Sequence, residues 1–180
     1  MTNYPDGLLD VTLPSDSVNG IGQEKLFFQE VLITTEDNRT VTAYEVVEVR
    51  DANGNTIPIE ERHKSNCTGL AVANGEVWIF DSDLPTNETA SFENMLADTS
   101  LYSSSTTSEG ADFVIIWDTP NDGNPRHIVH SGIVNSDGKF THKDNNGAVK
   151  PSQTYTEFVG KRIQPPNSNY ETTVLYYKKL

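Results

Sequence analysis

His127-Ile-Val-His-Ser-Gly-Ile-Val134, then Asn-Ser-Asp-Gly, then Lys139-Phe-Thr-His142 is the stretch that decides the fold. Two strand-like runs flank a turn marked by Ser136-Asp-Gly138, which is the pattern of a β-hairpin. One histidine sits on each arm, His130 and His142, twelve positions apart. Residues on adjacent strands face each other when their offsets suit, so one imidazole can orient the other. Just upstream, Phe113-Val-Ile-Ile-Trp117 is a continuous apolar run of strand length, bounded by Glu109-Gly110 and Thr119-Pro120. Thr172 to Tyr177 supplies a last strand. The C-terminal third therefore reads as antiparallel sheet.

Before this sheet the pattern changes. Asn66-Cys-Thr-Gly-Leu-Ala-Val-Ala73 reads as a short helix, with Asn66 as its N-cap and Asn74-Gly75 as its stop. Glu76-Val-Trp-Ile-Phe80 is a short apolar segment, and Phe92 to Asp98 a second helix capped by Ser91. The polar run Ser100 to Ser108 reads as a mobile loop. Nearer the start, Leu26–Phe28, Val31–Ile33 and the Val41–Val49 run make strands around a turn at Glu36-Asp37-Asn38. A second turn at Asp51-Ala-Asn-Gly-Asn55 leads to Thr56-Ile-Pro-Ile59, a short edge strand where Pro58 costs no ladder bond. The first 25 residues, punctuated by Pro5, Gly7, Pro14, Gly20 and Gly22, read as irregular. Glu60 to Ser65 reads as a charged linker. The expected organisation is thus a β-rich extension over 1–60 and a second domain over 61–180, in the α+β class.

Composition narrows the function. The chain has 180 residues and a formal charge of −13, which argues against nucleic acid or an anionic membrane as partner. No apolar run reaches the length of a membrane span. The N-terminus shows neither a basic region nor an apolar core of the secretory kind, so the expected location is cytoplasmic, or outside by a signal-peptide-independent route. Charge is uneven: 1–126 hold 22 acids against 6 Lys and Arg, whereas 127–180 hold 4 against 7. The simplest account is ordinary variation of surface charge. Three Asn-x-Ser/Thr sequons, at Asn38, Asn66 and Asn87, read as chance. Trp78, Trp117 and the late tyrosines read as core or interface.

Cys67 is the one cysteine, so no intramolecular disulfide forms. It opens a helix, where the positive end of the dipole favours thiolate and the backbone N–H groups can receive an oxyanion. A base within reach is then needed, and imidazole is the usual one. Cys67, His130 and His142 make a Cys–His–His relay, with the third member holding the second. Zinc is the competing reading, since His63 and Cys67 are four apart and His127 and His130 three apart. Strand alternation sets His127 and His130 on opposite faces, and the linker offers no helix to align His63 with Cys67. Asp51-x-Asn53-x-Asn55 opens like a calcium loop, but Thr56 and Arg62 stand where Gly and Glu are required.

Four segments taken together resemble the NlpC/P60 cysteine peptidases. Asn66-Cys-Thr-Gly-Leu70 is similar to that family's Asp-Cys-Ser-Gly-Leu nucleophile segment. Glu109-Gly-Ala-Asp-Phe-Val-Ile-Ile-Trp117 resembles its Pro-Gly-Asp-Leu-Val-Phe-Phe strand. His130-Ser-Gly-Ile-Val134 with Asp137-Gly-Lys-Phe-Thr-His142 resembles its His-Val-Gly-Ile-Tyr and Gly-Lys-Phe-Ile-His hairpin. Phe158-Val-Gly-Lys-Arg-Ile163 resembles its Val-Gly-Ala-Arg-Arg ending. They occur in the family's order across about 100 residues, from Asn66 to Ile163. Asn66 stands for the family's Asp, Thr68 for its Ser, and 62 residues separate Cys67 from His130. The resemblance implies a papain-like core, Cys67 as nucleophile, His130 as base and His142 as its orienting partner. It further implies an amide in a peptide or peptidoglycan fragment as substrate, with no cofactor. The alternative is a binding module that keeps the fold without turnover.

Overall fold

The computed structural model describes residues 9–12, 24–34, 40–79, 90–144, 147–165 and 168–180. It is a mixed α+β fold of mostly antiparallel sheet with few helices. Four strands from the first third, β1 (Leu9–Thr12), β2 (Lys25–Thr34), β3 (Thr40–Arg50) and β4 (Thr56–Ile57), form a sheet in sequence order. The meander therefore has a fourth strand: Leu9 to Thr12, expected to be irregular, pair antiparallel with Phe28 to Lys25. Alternation hid this strand, because four residues are too short a window for period 2 to declare itself. The Glu36-Asp37-Asn38 turn and the sequons at Asn38 and Asn87 lie outside the described residues, as does the side chain of Ser91. The Asp51 carboxylate is spent inside its own turn, accepting from the N–H groups of Asn53 and Asn55 at 2.9 Å each.

After a 3-10 turn at Glu61–His63 come α1 (Cys67–Val72) and α2 (Ala90–Ala97). The second sheet holds β5 (Tyr102–Ser105), β6 (Phe113–Pro120), β7 (His127–Val134), β8 (Phe140–His142), β9 (Lys150–Gln153) and β10 (Tyr170–Lys179), ordered β5-β10-β6-β7-β8-β9. A third helix, α3 (Tyr155–Val159), follows β9. The Ser/Thr-rich run is therefore not all loop: Tyr102 to Ser105 pair with Lys179 to Tyr176. Its hydroxyl-rich composition suits an edge strand with one wet face. The segment Glu60 to Ser65 is not a free linker either. Arg62 donates from Nη2 and Nη1 to the two carboxylate oxygens of Glu24, at 2.7 and 3.0 Å, and His63 is fully buried beside the same carboxylate at 3.2 Å.

Each face of the second sheet carries its own core. Phe113, Ile115, Trp117 and Tyr177 pack with Phe92, Met95 and Leu96 of α2 and with Val41 and Ala43 of β3, so the two sheets share this cluster. On the opposite face Val114, Ile116, Phe140 and Tyr176 pack with Phe158 and Val159 of α3. Trp78 belongs to the first sheet, buried among Leu26, Phe28, Tyr44 and Val49. Its indole N–H donates to the His63 carbonyl at 2.7 Å. No described helix is long and apolar enough to cross a membrane.

Candidate active site

The segment around Cys67 is fixed by Asn66. Its Oδ1 accepts from the Gly69 N–H at 2.8 Å and the Ile79 N–H at 3.2 Å, while Nδ2 donates to the Ile79 carbonyl at 2.6 Å. Asn66 is thus the expected N-cap and also a clasp onto the segment that returns past the helix. Gly69 is required by that return: a Cβ there would lie 1.6 Å from the Val77 carbonyl oxygen. The helix stops where expected. Asn74 (φ 53°) and Gly75 (φ 79°) turn left-handed, and the N–H groups of Ala73 and Gly75 both donate to the Gly69 carbonyl.

Cys67 is half-buried at the start of α1. Its thiol faces β7, where the Ser131 backbone N–H points at sulfur. The next residue of the helix, Thr68, meets the Ser131 hydroxyl at 3.1 Å. Burial pushes the thiol pKa up, opposed by the Ser131 and Thr68 donors and the charge of Arg162. This corrects the expectation of a thiolate favoured by the helix start. A six-residue helix has too little dipole to offset desolvation, and the resting group is a thiol.

The structure brings the two hairpin histidines together. His130 Nε2 and His142 Nδ1 lie 2.9 Å apart, with ring planes at 86°. Both are buried. The register explains this: His142 pairs with Gly132, two residues from His130 and on the same face. Gly132 also leaves room for the rings, since a Cβ there would lie 2.8 Å from the Phe158 ring and 3.3 Å from His142 Cβ. Phe158 covers both imidazoles, its centroid 5.3 Å from His130 and 5.4 Å from His142. Burial holds His130 down to about 3 and lowers His142, so both rings are neutral at pH 7.

Cys67 meets the strand of His130 at the adjacent peptide, and among the described residues no hydrogen bond joins its sulfur to the imidazole. Catalytic hydrogen bonds are often long in unliganded sites and tighten with substrate. With Nε2 of His130 engaged by His142, Nδ1 is the nitrogen left to take a proton.

His127 departs from expectation. Ile116 pairs with His130 but Trp117 with Ile128, so Val129 is an extra residue in β7. That bulge resets alternation and puts His127, opposite Asp118, on the same face as His130. It still stands apart, its ring against Tyr170 at 5.5 Å. His63 has both nitrogens engaged: Nδ1 accepts from the Glu60 N–H at 2.9 Å and Nε2 faces Glu24. Neither histidine stands ready to join Cys67 around zinc.

Several neighbours were not read from the sequence. Lys143, directly after His142, is buried and donates to the carbonyls of Arg62 at 2.7 Å and Ser65 at 2.5 Å. It thereby ties the histidine strand to the segment entering Cys67, and burial pushes its ammonium down to about 8. Asp144 pairs with Arg162 and, at 2.5 Å, with Lys150. Arg162 also donates to the Phe158 carbonyl at 2.7 Å. The signal available was proximity to His142 for Lys143 and Asp144, and the Phe158–Ile163 segment for Arg162. A cleft of about 420 Å³, bordered by Glu60, Glu61 and Glu76, reaches Ser65 and Leu70 on the flank of α1. No protein-family model, curated protein or solved structure matches this chain.

Proposed function

We propose that this chain is a cysteine hydrolase cleaving an amide bond in a peptide or peptidoglycan fragment, on a papain-like core of the NlpC/P60 type. The observation that carries the reading is the buried His130–His142 pair, with His130 on the strand whose Ser131 N–H meets the Cys67 thiol. The nucleophile starts as a thiol and the base as a neutral imidazole. As sulfur attacks the carbonyl, its proton passes to Nδ1 of His130, and His142 stabilises the imidazolium through Nε2. The Ser131 N–H and the Thr68 donors stabilise charge developing on sulfur. His130 then returns the proton to the leaving amine, and water releases the acyl group by the same path in reverse. Residues 1–60 act as an extension whose Val41 and Ala43 complete the core behind the catalytic sheet.

A binding module on the same fold is the second reading, favoured by burial that keeps Cys67 protonated. Mass spectrometry of peptides and muropeptides incubated with wild type and Cys67→Ala separates the two. Cleavage by wild type that Cys67→Ala loses supports the hydrolase. Cys67→Ala activity within about tenfold of wild type removes Cys67 from the mechanism. His130→Ala should cost as much as Cys67→Ala, because the base moves a proton twice per turnover. His142→Gln, which can still accept from His130, should keep more activity than His142→Ala.

A further inference from the structure

Neutral imidazole carries one proton, so a hydrogen-bonded pair of neutral histidines has two tautomeric arrangements. In the first, Nε2–H of His130 donates to Nδ1 of His142. Nδ1 of His130 then holds a lone pair, and Nε2 of His142 carries a hydrogen. In the second, Nδ1–H of His142 donates to Nε2 of His130. Nδ1 of His130 is then protonated and useless as a base, and Nε2 of His142 is a bare lone pair. The two arrangements differ at the far edge of His142. That atom, Nε2, is buried and has no hydrogen-bond partner among the described residues. A buried polar atom without a partner is costly, so whatever lies near it weighs on the choice.

The foremost charge acting on this ring is a carboxylate. A carboxylate oxygen of Asp144, a nitrogen of His130 and a nitrogen of His142 lie within 4.8 Å of one another. Arg162 and Lys150 clamp Asp144 and hold it ionised. Among the described residues, the other charges that act on the pair are those same two cations, Arg162 and Lys150, while Lys143 follows directly after β8. Lys143 is turned away toward the carbonyls of Arg62 and Ser65. Asp144 is thus the anion of the cluster, and an anion favours a proton on the imidazole edge nearest it.

We propose that Asp144 is a positioning residue that selects the Nε2–H tautomer of His142 and, through it, the tautomer of His130 whose Nδ1 can accept a proton. The proposal rests on His130 serving as the base. The same three groups do not make a ready cation site, because one nitrogen of each histidine is spent on the other and the carboxylate on two cations.

Two-bond ¹H–¹⁵N correlation NMR of the full chain reads the tautomers directly. Wild type should show Nε2–H at both His130 and His142. Asp144→Asn should lower the Nε2–H share of His142 by about tenfold relative to its Nδ1–H form, and Asp144→Glu should restore it, which a merely structural salt link would not do. Wild-type His142 in the Nδ1–H form overturns the proposal, as do unchanged tautomers in Asp144→Asn. One equivalent of zinc displacing both ring protons in wild type also overturns it. If Asp144→Asn does not fold, the wild-type assignment alone decides. Tautomers as expected with no peptide cleaved would sink the hydrolase reading and leave the role of Asp144 in the pair standing.

Discussion

Asn66→Asp puts into this chain the residue that the NlpC/P60 nucleophile segment carries, and it should destabilise the protein. Three hydrogen bonds fix the orientation of the amide: two N–H groups converge on Oδ1, so Nδ2 must face the Ile79 carbonyl, 2.6 Å away. A carboxylate keeps the two acceptor roles but sets a second oxygen against that carbonyl. Losing the donor leaves a buried acceptor unpaired, at about 1–3 kcal/mol, and oxygen–oxygen repulsion adds to it. We expect about 3 kcal/mol at pH 7.5, where the new carboxyl is ionised. Protonation would restore an O–H donor to Ile79, so the folded-state pKa is raised above the unfolded value near 3.9. A raised carboxyl favours folding below its unfolded pKa and loses that advantage as pH rises through the folded pKa. The penalty against wild type at equal pH should therefore shrink toward about 1 kcal/mol near pH 4.5. Urea unfolding followed by fluorescence of the buried Trp78 and Trp117 measures both values. Stability within about 0.5 kcal/mol of wild type at pH 7.5 would refute the clasp.

Acid should weaken the fold in a defined window. His63, His130 and His142 all have pKa values lowered by burial, so the unfolded chain binds more protons once pH falls below about 6.5. Stability is complete above that value and is lost on the way down toward the folded pKa values. For His130, held near about 3, the loss at pH 5 is about 2 kcal/mol. A urea midpoint that is flat from pH 7 to pH 5 would contradict the buried neutral rings. Gly132→Ala should cost about 1–3 kcal/mol, because its Cβ must displace the Phe158 ring or the His142 strand. An unchanged melting temperature would show that the ring cover is loose.

The hairpin was legible because its signal is local. Alternation, the Ser136-Asp-Gly138 turn and two histidines at matched offsets are all written within sixteen residues. The cap and stop of α1 were legible for the same reason. The bulge at Val129 was not, since an extra residue in a strand depends on the register with β6 and leaves no mark in β7 alone. Arg62 and His63 read as a linker because their partner, Glu24, lies 38 and 39 residues back. The site shows the same limit. His130 and His142 could be named from spacing, whereas Lys143, Asp144 and Arg162 gain meaning only once β8, β9 and the end of α3 converge. The lowered thiol pKa expected at a helix start failed because burial, a tertiary quantity, outweighed a local one.

Six residues of helix cannot stand alone in water, since isolated helices below about 12–15 residues are marginal. The turn that carries Cys67 exists because Asn66 holds Ile79, Gly69 fits beneath Val77 and Thr68 reaches Ser131, 63 positions away. Any opening that releases those partners melts the turn and returns Cys67 to water as an ordinary thiol with a pKa near 8.5. The native environment raises that pKa, so each transient opening yields more thiolate than the closed form at the same pH. Oxidative damage to this protein should therefore follow the population of open molecules, with sulfenic acid accumulating where the fold breathes most and the folded state shielding its own sulfur.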